Sequence, residues 1–290
     1  MRDLTPELVE LIRFTSTDLS SDVQRTLEAA RDREEQGSAA QSALITILDN
    51  VDLSRRNSTP ICQDTGTPIF YVQYPAGWST RSLREQIRNA IVEATKKSYL
   101  RPNAVDSLTE KNSGNNLGDE LFPSIHFEEW ENDYLKVDLL LKGGGCENCG
   151  AQYSLPDTKL KAGRDLKGVR KAVLDAVFQA QGNGCAPGVL GVAVGGDRGT
   201  SYVESKRQLF RPLEDANPDP NLAALERQLY DEANQLGIGP MGFGGKTTVL
   251  GVKLGTMHRL PACYFVTVSY MCWADRRRSL IVRDGEATVE

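Results

Sequence analysis

Three cysteines, each set at a turn, carry the clearest chemical signal in this sequence. Cys62 stands in Pro60-Ile61-Cys62-Gln63-Asp64-Thr65-Gly66-Thr67, Cys185 in Gly182-Asn183-Gly184-Cys185-Ala186-Pro187-Gly188, and Cys272 in Ser269-Tyr270-Met271-Cys272-Trp273-Ala274-Asp275. Thiolates are the usual ligands of iron–sulfur clusters. A [4Fe–4S] cluster with three protein thiolates keeps one iron open, and an open coordination position separates a catalytic metal from a structural one. The amide of Gln63 and the carboxylate of Asp64, directly beside the first thiol, are polar groups suited to such an open iron. The competing reading is three buried thiols packing as small hydrophobes. The cysteines are too far apart in sequence for spacing to decide; only folding could join them.

Other residue groups carry weaker signals. A carboxylate at Asp64 could hand a proton to a departing hydroxyl, although Asp-Thr-Gly is also an ordinary turn cap. Arg101, just before Pro102, has the planar fork that suits bidentate binding of a carboxylate, and reads equally as a surface arginine. Gly143-Gly144-Gly145 closes a strand, where backbone N–H groups can approach an anion without Cβ obstruction; a plain strand-ending turn has the same sequence. Cys146-x-x-Cys149 could be half a zinc site or a redox pair, but zinc takes about four ligands and no second CxxC or histidine pair accompanies it. Gly244-Gly245-Lys246-Thr247 suggests a phosphate loop and fails, because the required first glycine falls on Pro240. Of the two histidines, His126 reads as structural, and His258 lies in the loop-like Thr256-Met257-His258-Arg259-Leu260-Pro261-Ala262.

Composition bounds the class. The chain has 290 residues, 25% charged and 40% hydrophobic, with net charge −5. These are ordinary globular values, and nothing in the balance points to nucleic acid. The run Arg276-Arg277-Arg278 is short and reads as a solvated face or an interface. No apolar stretch reaches the length of a membrane span, and the N-terminal residues lack the apolar core of a secretory signal. A reducing, cytoplasmic setting is expected, in which the six cysteines are thiols or metal ligands rather than disulfides.

The periodicities predict a mixed α/β chain read as a single domain over 1–290, with 1–54 as its helical N-terminal part. The first hundred residues read as largely helical. Thr5-Pro6-Glu7 looks like an N-cap with a first-turn proline; 22–34 is helix-prone; Leu83, Ile87, Ile91 and Ala94 keep a helical period that stops at 101–103. Residues 103–120 read as loop. Strands are expected from about Tyr134, beginning with Val137, Leu139 and Leu141. Leu166, Val169, Val173 and Val177 share one helical face, and 222–236 forms another helix. Val189–Val194, Thr247–Leu254 and Cys263–Tyr270 read as strands; in the last, Val266, Val268 and Tyr270 alternate with Thr267 and Ser269. The proline-rich 212–221 is the one plausible internal break.

Taken together, Cys62-Gln63-Asp64-Thr65-Gly66-Thr67, Lys142-Gly143-Gly144-Gly145 with Glu147-Asn148, Gly195-Gly196-Asp197, Gly237–Gly242 with Gly244–Thr248, and Cys272-Trp273-Ala274 resemble the class I, iron–sulfur-dependent fumarase/tartrate dehydratase family. The resemblance is to its α subunit or N-terminal domain, in family order from about residue 55 onward. It implies the fold of that catalytic domain and a reversible dehydration of a small 2-hydroxy dicarboxylate, such as malate or tartrate. It implies a [4Fe–4S] cofactor held by Cys62, Cys185 and Cys272, with Asp64 catalytic and Gln63, Arg101, Gly145 and His258 on the substrate. Leu260 stands where the family places a substrate-facing histidine, so His258 would take that role only through a shifted loop. The family's remaining basic groups and its proton-abstracting base lie on a C-terminal domain or β subunit. A β-type partner, in an α2β2 assembly, is therefore expected, with no nucleic acid and no membrane. The rival readings are a non-catalytic paralogue that keeps the fold, and a zinc-binding structural protein using Cys146 and Cys149.

Overall fold

The computed structural model describes residues 2–290. In chain order its helices are α1 (Thr5–Thr17), α2 (Ser21–Arg33), α3 (Ala39–Asn57), α4 (Thr80–Lys96), α5 (Gly144–Asn148), α6 (Leu166–Ala180), α7 (Arg198–Gln208) and α8 (Pro220–Gln235). The strands are β1 (Thr67–Pro75), β2 (Ser124–Trp130), β3 (Leu135–Lys142), β4 (Ala151–Ser154), β5 (Gly188–Val194), β6 (Val249–Thr256), β7 (Phe265–Met271), β8 (Arg277–Arg283) and β9 (Glu286–Val289). The mixed α/β character read from the sequence is what the structure has. The chain divides into two compact units, 1–20 with 49–144 and 276–290, and 21–48 with 145–275. The stretch 212–221 lies inside the second unit and separates nothing.

The first unit is built on a five-stranded sheet in the order β2-β1-β3-β8-β9. α1 and α4 pack on each other, and Leu8, Leu11 and Ile12 of α1 with Leu83, Ile87 and Ile91 of α4 fill its core against Phe70, Val72, Leu139 and Leu141. Burying each such side chain contributes roughly 1.5–3 kcal/mol, so the 3.6-residue apolar period of α4 is sufficient reason for its place. Three sequence expectations need correction here. Strand β1 lies within the first hundred residues; Ile69–Val72 is a β-branched and aromatic run bracketed by Pro68 and Pro75. Strand β2 precedes Tyr134. The arginine run is not a solvated face, because Arg276 is 1% exposed and Arg277 opens β8, an interior strand. At the N-terminus the N-cap is Leu4 rather than Thr5 and has no side-chain cap; the Thr5 amide, the first of the helix, donates to Asp3 Oδ1.

The second unit carries a four-stranded sheet in the order β4-β7-β5-β6. The alternation in β7 predicts one wet face, yet Val266–Met271 is buried throughout. Its polar face is served by α7: Ser201 Oγ lies 2.6 Å from Thr267 Oγ1 and Ser205 Oγ 2.7 Å from Ser269 Oγ. Hydroxyl pairing satisfies buried donors that an apolar helix would leave orphaned. Among the described residues no helix is long and apolar enough to cross a membrane.

The glycine-rich segment before β6 shows why a phosphate-loop reading fails physically. Its backbone N–H groups already hold an anion: Lys246 N–H donates to Glu34 Oε2 at 2.8 Å, and Thr247 N–H to Oε1 at 2.9 Å. Glu34, just past α2, is buried. Replacing it with alanine is expected to lower stability by roughly 2–4 kcal/mol, because two amides lose their acceptor. Thermal melting of Glu34→Ala checks this.

Candidate active site

In the first unit, the start of β1, the end of β3 and the start of β8 lie at one end of the sheet, since Thr67 pairs with Lys142 and Leu140 with Arg277. The residues before β1 therefore meet the triglycine after β3. Asp64 Oδ1 accepts from the Gly66 amide at 3.0 Å, the turn cap that its sequence allows. Its Oδ2 accepts from the Gly144 amide at 2.8 Å. The acceptor offered to the triglycine amides is thus Asp64 itself. Gly66 permits this approach: its φ is +80°, and a Cβ there would stand 2.8 Å from the carbonyl carbons of Leu141 and Lys142.

Two arginines complete this end. Arg101 donates from its backbone to Thr65 Oγ1 at 3.1 Å and from Nη1 to the Gln63 carbonyl at 3.3 Å, leaving both Arg101 and Gln63 exposed. Arg276 donates from Nη1 to the Asp64 carbonyl at 2.7 Å. Its Nη2 lies 3.5 Å from where a Cβ on Gly143 would be, next to Asp64 Oδ2 at 3.1 Å. Sequence reasoning missed Arg276, having read its run as a solvated face or an interface. The apolar run Leu280-Ile281-Val282 that follows marks a strand, but not the neighbour that buries Arg276.

In the second unit, the chain before β5 and after β7 meets at one end of the sheet, because Val189 pairs with Met271. Here the Trp273 amide donates to the Cys185 carbonyl at 3.2 Å, joining the turns that bear Cys185 and Cys272. Cys185 takes a positive φ of 56°. α5 reaches the same end: Cys146 Sγ lies 3.9 Å from Met271 Sδ. Gly145, Cys149 and Asn183 line a cavity of about 470 Å³. Tyr270 sits beneath these turns, 1% exposed. Burial, and after it the thiols of Cys149, Cys272, Cys146 and Cys185, push its phenol above its ordinary value.

None of the six cysteines is in a disulfide. Cys62, Cys149, Cys185, Cys263 and Cys272 are each half-buried, while Cys146 is 3% exposed. The small-hydrophobe reading therefore suits Cys146 best, and burial alone does not single out the three turn cysteines. Partly exposed thiols on tight turns, with a buried phenol beside two of them, fit the donor set of a cluster. Among the described residues no three His, Cys, Asp or Glu side chains gather closely enough to hold a metal ion; Cys62 belongs to the first unit and Cys185 and Cys272 to the second.

The structure does not bring His258 to Cys185 and Cys272. It lies in the loop between β6 and β7, and β6 ends beside Val194, at the far end of β5 from Cys185. The seven residues of β7 put roughly 20 Å between the two ends. His258 is exposed, and Leu260 is 72% exposed. His258→Ala is expected to leave turnover within about twofold of wild type, the small effect of a surface change away from any special feature; steady-state kinetics would read it. His126 stacks on Tyr71 at 4.8 Å, a structural contact within the first sheet. Asp197 caps α7, accepting from the amides of Gly199 and Thr200.

The sequence model of a family described as fumarate hydratase (fumerase) matches residues 5–281. A Geobacillus stearothermophilus protein, provisionally named fumarate hydratase class I, is 51% identical over 96% of this chain and 54% of its own length. The chain thus spans about half the length of that relative. A Methanocaldococcus jannaschii protein, provisionally named L(+)-tartrate dehydratase subunit alpha, is 32% identical over 93% of this chain and 94% of its own. The L(+)-tartrate dehydratase subunit alpha of Escherichia coli K12 is 31% identical over 96% and 90%. The chain belongs to the family of class I fumarate hydratases and tartrate dehydratase α subunits.

Proposed function

We propose that this chain is the α part of a [4Fe–4S]-dependent hydro-lyase that reversibly dehydrates a small 2-hydroxy dicarboxylate of the malate or tartrate type. The observation that carries the proposal is that, in a class I family member, the turns bearing Cys185 and Cys272 are hydrogen-bonded together, with both thiols half-exposed. Cys62, Cys185 and Cys272 would hold the cluster. When bound, it would supply an open Lewis-acidic iron for the hydroxyl that leaves.

The chain's own groups have the complementary tasks. Asp64, fixed by the amides of Gly66 and Gly144 and by Arg276 on its carbonyl, moves the proton to the departing oxygen. Gln63 and Arg101 present an amide and a guanidinium for a substrate carboxylate. Gly145 offers an unobstructed backbone beside the Cys185 turn. The base that removes the carbon-bound proton belongs to a β-type partner, in an α2β2 assembly. The α-subunit names of two relatives and the greater length of the Geobacillus protein support that partner.

Anaerobic reconstitution with the partner, followed by a panel of hydroxy acids, tests the proposal. Expected is turnover that is lost in air and restored by ferrous iron with thiol; stable turnover in iron-free protein would sink it. A second reading, a paralogue that keeps the cluster without catalysis, draws on the exposed Leu260 at the family's histidine position. A loaded cluster with no turnover on any acid, partner present, would favour it.

A further inference from the structure

Of the buried polar atoms in the second unit without a hydrogen-bond partner, one stands beside the turns that bear Cys185 and Cys272. The Tyr270 hydroxyl is shut off from solvent and has no hydrogen-bond partner among the described residues. Its place is closely specified. A Cβ on Gly184 would stand 2.4 Å from the ring Cε1, and one on Gly188 would stand 2.4 Å from Cζ and 2.6 Å from the hydroxyl oxygen. Two glycines flanking Cys185 thus leave the space that the phenol fills. Tyr270 is also two residues before Cys272 on β7, and the turns at its two sides are joined by the Trp273–Cys185 hydrogen bond.

Buried donors in native proteins are nearly always paired, and an unpaired one is destabilising. Phenylalanine would fill the same site without the penalty, so the hydroxyl points to an acceptor that the folded chain takes up afterwards.

We propose that Tyr270 is a positioning residue whose hydroxyl donates a hydrogen bond to a sulfur acceptor of the bound cluster, on the side held by Cys185 and Cys272. This rests on the cluster reading above. Hydrogen bonds to sulfur stabilise the added negative charge of the reduced cluster and so raise its reduction potential. The hydroxyl then tunes the cluster and slows its loss, without touching substrate.

Tyr270→Phe decides the matter through two measurements that do not depend on turnover. In the cluster-free protein, thermal melting should show the variant as stable as wild type or more so, since no hydrogen bond is lost. In anaerobically loaded protein, the variant's midpoint potential should fall by about 59 mV, the one-electron equivalent of a tenfold shift in the oxidised-to-reduced ratio. Its cluster should also bleach several-fold faster in air. A cluster-free variant that is less stable or does not fold would show that the hydroxyl serves the fold, overturning the proposal. Loaded proteins with equal potentials and bleaching rates would overturn it while leaving the cluster reading intact. Wild-type protein that takes up no iron or sulfide would overturn both.

Discussion

Replacing Cys62, Cys185 or Cys272 by alanine is expected to abolish the [4Fe–4S] signal and lower turnover by at least about 10³-fold, the several kcal/mol that Lewis-acid stabilisation supplies. Cys146→Ala and Cys149→Ala should load normally. Exposure separates only Cys146 from the three, since Cys149 is half-buried as they are; Cys149 is set apart by standing outside the three turn motifs, beside Gly145 and Asn183. The three turn cysteines are half-exposed, and Cys185 and Cys272 sit on turns linked through the Trp273 amide. Cys146 is buried against Met271, where alanine removes a small apolar group and costs stability rather than a ligand. Iron and sulfide analysis with EPR reads the outcome. A full cluster in Cys272→Ala, or its loss in Cys149→Ala, would require a different ligand set.

Asp64→Asn should lower kcat by at least about 10²-fold while the cluster remains, the lower range for a missing acid–base group. The amide keeps an oxygen to accept from Gly66. Its NH2 group, however, would face the Gly144 N–H, donor against donor, where Oδ2 now accepts at 2.8 Å. The substitution therefore removes the transferable proton and also loosens the triglycine from the turn before β1. Cluster content and melting temperature measured beside kcat separate these effects. Near-wild-type kcat with an intact cluster would assign the proton to another group.

The sequence disclosed the local elements far better than their neighbours. The apolar stripes of α4 and α6, the short strand β5 and the loop at 103–120 follow from periodicity and turn residues alone. Pairing is a different matter. Nothing local says that β8 enters the sheet beside β3, and so nothing local separates a buried Arg276 from a surface one. His258 stands close to Cys272 in sequence, yet an intervening strand sets them at opposite ends of a sheet. The Glu34 clamp on Lys246 and Thr247 joins segments more than two hundred residues apart, beyond the reach of any motif. For the candidate site, the cysteine turns and Asp64 were visible as residue types, whereas Tyr270 was visible only as an alternating strand residue. Its orphaned hydroxyl is a property of packing.

The interleaving of the two units sets an order for synthesis on the ribosome. All four strands of the second sheet lie within 145–275, so that sheet can draw all its strands from chain made before Arg276. The first sheet cannot. Between the end of β3 and the arrival of β8 roughly 130 residues are translated, a wait of about 7–27 s at about 5–20 residues per second. Throughout it, β3 presents one unpaired edge and Asp64 lacks the donor that Arg276 supplies. An apolar strand with an open edge is a template for pairing with another chain. The nascent polypeptide is therefore expected to need shielding at Leu135–Lys142, and a chain stalled before Arg277 should aggregate through that strand.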